Sequence, residues 1–241
     1  MTVLISAHRG GGEVAPRGTW EAYEHALSIG ADYVEFDVRK TGDGELVVFH
    51  DEQVRGRPLR SLTKDELSEL AGYEVPGVPD LMAKMAGRSH GHVDMKESGY
   101  EGEVVSLARE LLGDDAFVVT GGDGCIATVK RLFPGIRCAL SLGRDMWEIP
   151  MTRYVQVRRS ELNPVERLRA CGAEWVAVHR RYAVIGTLRT CAAHGIGAMV
   201  WTVNNSAMIR RFLRDPRVNV LITDRPAYAM EQRSLLTGRA T

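Results

Sequence analysis

Apolar residues run through this chain in short β-type bursts separated by stretches with helical spacing. The bursts at residues 3–8, 33–39, 91–96, 116–120, 137–142, 175–179, 198–203 and 219–223 predict strands. Helical patterns lie between most of them, at 19–28, 101–112, 123–133, 164–171, 183–193 and 206–213. Gly30, Gly113, Gly135, Gly172 and Gly195 stand where helices of this kind end. Regular alternation of strand and helix argues a parallel sheet with right-handed crossovers. Eight such strands in one α/β domain favour a closed (β/α)₈ TIM barrel. An open doubly wound sheet is the competing architecture. It would bind nucleotide at a GxGxxG turn, and Gly10-Gly11-Gly12 after the first strand lacks that spacing.

One irregularity follows the second strand. Thr41-Gly42-Asp43-Gly44-Glu45 reads as a turn, so residues 46–50 are expected to fold back as a hairpin extension. Residues 51–90 form an excursion holding one helical piece at 63–70, with Thr63 as its cap and Glu66 three residues on. A Pro-Gly-Val-Pro corner comes next at 76–79. Residues 1–241 are therefore expected to form a single domain, with 40–90 as hairpin and short cap insertion. The polar last dozen residues are expected to fray.

Composition narrows the function. The formal net charge is zero, with 31 basic and 31 acidic side chains. No long-range field gathers nucleic acid or an anionic membrane, so recognition of phosphate must be local. Cys125, Cys138, Cys171 and Cys191 show no metal or redox spacing and read as buried hydrophobes in a reducing compartment. The start of the chain lacks signal-peptide character, and no stretch approaches the roughly 20 apolar residues of a membrane span. A cytoplasmic protein without stable membrane association is expected.

The polar residues that interrupt this apolar frame fall at strand ends, where a barrel of this kind gathers its active site. Glu35 and Asp37 are two apart and share one face of their strand, while Val34, Phe36 and Val38 take the other. Asp94 and Lys96 share a face in the same way, and His8 shares its face with Leu4 and Ser6. Like charges about 5 Å apart repel by about 3 kcal/mol at an effective dielectric near 20, so three converging carboxylates need a cation. A hard divalent ion, Mg²⁺ or Ca²⁺, suits oxygen ligands. The competing reading is a structural ion network with Arg9 and Lys96. His8 and His50 form a natural proton-transfer pair for a phosphodiester, whose nucleophile must lose a proton and whose leaving alkoxide must gain one. Arg9 and Lys96 would bind the phosphate oxygens. At the same rim, His179 is expected to be structural, Trp201 is either a pocket wall or core, and Asp224 is expected to cap the final turn.

SAHRGGG, GADYVEFDVRKTGDGELVVFHD, HVDMK, VWTVNN and LITDRP together resemble the signature series of the glycerophosphodiester phosphodiesterases over residues 4–226. That resemblance implies a metal-dependent barrel hydrolase with a cap inserted after strand two, acting on a small-molecule phosphodiester. It implies catalytic histidines at His8 and His50, metal carboxylates at Glu35, Asp37 and Asp94, phosphate contacts at Arg9 and Lys96, and a pocket tryptophan at Trp201. One divalent ion would be the cofactor, and glycerol phosphate and an alcohol the products. Three departures stand out. Arg17-Gly18 replaces the family's Glu-Asn, and Glu13 is a candidate to compensate. Asp94 stands where glutamate is commoner, as in the sphingomyelinase D branch of the same superfamily. The cap is short. Two alternatives follow: intramolecular transfer giving a cyclic phosphate, or a recruited non-hydrolytic role on a phosphorylated metabolite.

Overall fold

The computed structural model describes residues 2–143 and 159–238. Its strands are β1 (Leu4–Ala7), β2 (Tyr33–Lys40), β3 (Leu46–Val48), β4 (Gln53–Val54), β5 (Arg57–Pro58), β6 (His90–Met95), β7 (Phe117–Gly121), β8 (Cys138–Leu142), β9 (Trp175–His179), β10 (Gly197–Trp201) and β11 (Val220–Thr223). Eight of them run parallel in the order β1-β2-β6-β7-β8-β9-β10-β11, and the β1–β11 ladder closes the barrel. β3 pairs antiparallel with β2, which is the hairpin expected from the Gly-Asp-Gly turn.

Strand parity divides the interior into two layers. Val34, Phe36, Val38, Val93 and Met95 face outward and join the main core under the helices. Tyr33, Val118, Ala139, Ala177, Met199, Val220 and Ile222 fill the barrel itself. Hence Glu35, Asp37 and Asp94, on the inward parity, are carried into the barrel mouth and are all buried.

Among the described residues the longer helices are α1 (Trp20–Ser28), α2 (Lys64–Ala71), α3 (Val78–Met85), α4 (Glu101–Leu111), α5 (Asp123–Leu132), α6 (Val165–Cys171), α7 (Leu188–Ala193), α8 (Ser206–Leu213) and α9 (Pro226–Thr237). Thr63 and Glu66 form a reciprocal capping box on α2, as the sequence pattern predicts. Residues 53–75 enclose a small separate cluster of Val47, Leu59, Leu62, Leu67 and Val75.

Two expectations fail. The Pro-Gly-Val-Pro corner opens α3, whose buried Val78, Leu81, Met82 and Met85 pack on the barrel; proline at the second helical position costs no intrahelical bond. Most of the polar tail is ordered, as α9 through Thr237; residues 239–241, which the same expectation covers, lie outside the described residues. Arg233 fastens it by donating to Asp32 and to the Val3 carbonyl, so a charged anchor replaces the apolar stripe that would have announced the helix. All four cysteines are free and buried. Among the described residues no helix is long and apolar enough to cross a membrane.

Candidate active site

A cavity of about 400 Å³ opens at the C-terminal ends of the barrel strands, and His8, Arg9, Glu35, His50, Asp94, Lys96 and Trp201 all line it. Asp37 lies just behind, on an adjoining pocket that also touches Arg9 and His50. The eight residues singled out in the sequence are thus brought to one end of the barrel.

The acidic cluster is set by register. Asp37 stands level with Asp94, and Glu35 with His92, across the β2–β6 ladder. One carboxylate oxygen from each of Glu35, Asp37 and Asp94 lies within 4.8 Å of the other two. Burial raises the Glu35 carboxyl well above the usual range, and the Asp37 and Asp94 charges push it further. Burial works the same way on Asp37, but Lys96, Arg9 and His50 outweigh it and hold that carboxyl below its ordinary value. The Lys96 ammonium sits 2.8 Å from Asp37 and 2.6 Å from Asp94. Thr120 donates to the other Asp94 oxygen at 2.6 Å. Three buried, all-oxygen donors this close fit a hard divalent cation.

Arg9 is placed by strain. It adopts a left-handed conformation (φ 49°), unusual for a side chain with a Cβ, and this directs its backbone N–H to Glu35 at 2.7 Å. Gly10 makes the turn possible, because a Cβ there would lie 2.7 Å from the α1 backbone. The Arg9 guanidinium turns to Asp37, with Nε 3.1 Å away.

Each imidazole has a carboxylate on its Nδ1. His50 Nδ1 lies 2.6 Å from Asp51, and burial pulls its pKa down, against the pull of Asp37. His8 Nδ1 lies 2.6 Å from Asp224 across the closing seam of the barrel. Asp224 also accepts from Asn204 at 2.6 Å and from Arg17 at 3.0 Å. Burial works to raise its carboxyl, but these partners, His8 foremost, outweigh it and hold it down at about 2.

Asp224 therefore overturns its expected role as a cap, since α9 begins with no side-chain cap from that segment. Glu13 does that work instead, accepting from the N–H groups of Ala227 and Tyr228 at 2.8 and 3.2 Å. It is thereby committed to a helix end and does not replace the missing acid at position 17. Arg17 lies at the cavity wall on Asp224. Trp201 lines the cavity while donating to the Ala177 carbonyl at 3.0 Å, and His179 packs edge-on against it. His92, unremarked in the sequence, lies beneath the acids between Ser6 and Thr120; burial lowers its pKa to about 4. Asn204, in the VWTVNN segment at the same rim, holds Asp224 in place for His8, a link that only barrel closure makes.

The glycerophosphoryl diester phosphodiesterase family profile matches residues 8–111. A glycerophosphodiester phosphodiesterase of Bacillus subtilis is 42% identical over 246 residues, covering 88% of this chain and 80% of the relative. The chain belongs to the glycerophosphodiester phosphodiesterase family. The structure of the Thermotoga maritima glycerophosphodiester phosphodiesterase superposes with a TM-score of 0.73 at 22% identity, covering 99% of both chains. An Oleispira antarctica phosphodiesterase, solved with the product sn-glycerol-3-phosphate, superposes with a TM-score of 0.76 at 18% identity, covering 96% of each chain.

Proposed function

We propose that the chain hydrolyses glycerophosphodiesters to glycerol phosphate and an alcohol, with a divalent cation held by Glu35, Asp37 and Asp94. The observation that carries this is the meeting of three buried carboxylates within 4.8 Å at a cavity walled by two imidazoles. When bound, the ion supplies Lewis-acid polarisation of the phosphoryl oxygen. Arg9 and Lys96 hold the remaining phosphate oxygens and orient the diester. One imidazole removes a proton from the attacking water and the other protonates the departing alkoxide. Asp224 and Asp51 keep Nδ1 of His8 and His50 occupied, so that Nε2 of each is left for proton transfer. The segment between β3 and α3 serves as the cap over this mouth, and Trp201 walls the substrate side.

The product complex of the Oleispira antarctica phosphodiesterase supports a small-molecule substrate of this class. Asp94, where glutamate is commoner, favours one further reading: attack by a vicinal hydroxyl of the substrate to give a cyclic phosphate. Phosphorus NMR on a panel of glycerophosphodiesters, lysophospholipids and aryl phosphodiesters, with Mg²⁺, Ca²⁺ or Mn²⁺, decides between them. Glycerol phosphate as the product supports hydrolysis; a persistent cyclic phosphate contradicts it. No turnover of any diester would leave the recruited, non-hydrolytic role.

A further inference from the structure

Beside the main cavity lies a side pocket of about 90 Å³ that shares Arg9, Arg17 and His50 with it. Tyr23, from α1, lines this pocket, is 1% exposed, and has no hydrogen-bond partner for its hydroxyl. Glu35, Asp37 and Arg9 are the charges that act on that hydroxyl, which places it beside the reactive end of the site. A buried phenol normally finds a partner, and one left without it next to a cavity marks a place for a ligand atom or water.

Two further observations describe what fits. Arg9 and Asp37 line it too, with Arg9 Nε 3.1 Å from the Asp37 carboxylate, so one wall of the pocket is polar. Gly18 lies on the same pocket, and a Cβ built there meets nothing within 4 Å. Phe49 and Tyr73 supply aromatic wall. The pocket's size suits a diol-sized group.

We propose that this pocket is a diol subsite in which the Tyr23 hydroxyl bonds a free hydroxyl of the substrate's glycerol, with Phe49 and Tyr73 packed on its carbons. The proposal rests on the hydrolase reading above for the identity of the substrate. Tyr23 is a specificity residue: its hydroxyl binds the substrate and is not one of the groups that move the protons.

The test compares wild type with Tyr23→Phe in the presence of Mg²⁺. Calorimetry measures binding of sn-glycerol 3-phosphate against ethyl phosphate, and steady-state kinetics compares a glycerol diester with its ethyl counterpart. Tyr23→Phe should weaken glycerol phosphate binding about tenfold and leave ethyl phosphate unchanged, the value of one good hydrogen bond. The kinetic loss should fall on KM for the glycerol diester alone. The melting temperature should hold or rise, because the variant removes an unsatisfied group. Equal weakening of both ligands, or no change in either, would overturn the subsite. Failure of the wild type to turn over any diester while this binding preference persists would sink only the hydrolase reading.

Discussion

Asp37 and Asp94 stand at one level across neighbouring strands, and the Lys96 ammonium lies between them, 2.8 and 2.6 Å away. In the protein without metal, this lysine is the nearest compensation for two buried negative charges. Lys96→Met should therefore lower the stability of chelated protein by about 3 kcal/mol, as expected for one partner removed from a buried pair. A saturating divalent ion should return part of that loss. Urea unfolding with and without metal checks both halves.

The acids themselves should be dispensable for folding and indispensable for turnover. Glu35→Gln removes one of three mutually repelling carboxylates, so the metal-free variant should be as stable as wild type or more so. Activity should fall by at least about a thousandfold. Thermal melts and kinetics on the same preparation test the pair. Full activity in this variant would refute the metal role of Glu35.

Asp224 meets His8 from 216 residues away along the chain. Asp224→Asn keeps the shape but presents an amide to Nδ1, which disturbs the tautomer of His8. A loss in kcat of a hundredfold or more is expected, with KM little changed. Asn204→Ala should follow in the same direction and be milder, since it removes one donor to Asp224.

His179 gives the fold an acid sensitivity separate from catalysis. Burial lowers its pKa to about 4, with Arg180 and Arg181 adding to the effect, so it folds neutral. In the unfolded chain it binds a proton near pH 6.5. Its contribution to stability is thus complete above about 6.5, shrinks as pH falls, and is gone by about 4. The urea midpoint of wild type should drop over that window, and His179→Gln should flatten the drop.

Much of this was legible in the sequence because period and parity are local. Glu35, Asp37 and Asp94 could be aimed inward from alternation alone, since their neighbours Val34, Phe36, Val38, Val93 and Met95 demanded the helix-facing side. What escaped depends on contacts that no window spans. Asp224 reads as a turn residue until barrel closure sets β11 beside β1. Glu13 resembles a spare ligand until α9 presents two free N–H groups to it. α9 itself carries no marked apolar face; its tie is the Arg233–Asp32 pair, again across the seam.

The central claim is that the three acids bind one divalent cation beside the two imidazoles. Calorimetric titration of chelator-treated protein with Mn²⁺, repeated on Asp37→Asn, tests it most directly. One site per chain in wild type, lost in the variant together with turnover, is the predicted result. Unchanged binding in Asp37→Asn, or full turnover by wild type carrying no metal, would contradict it.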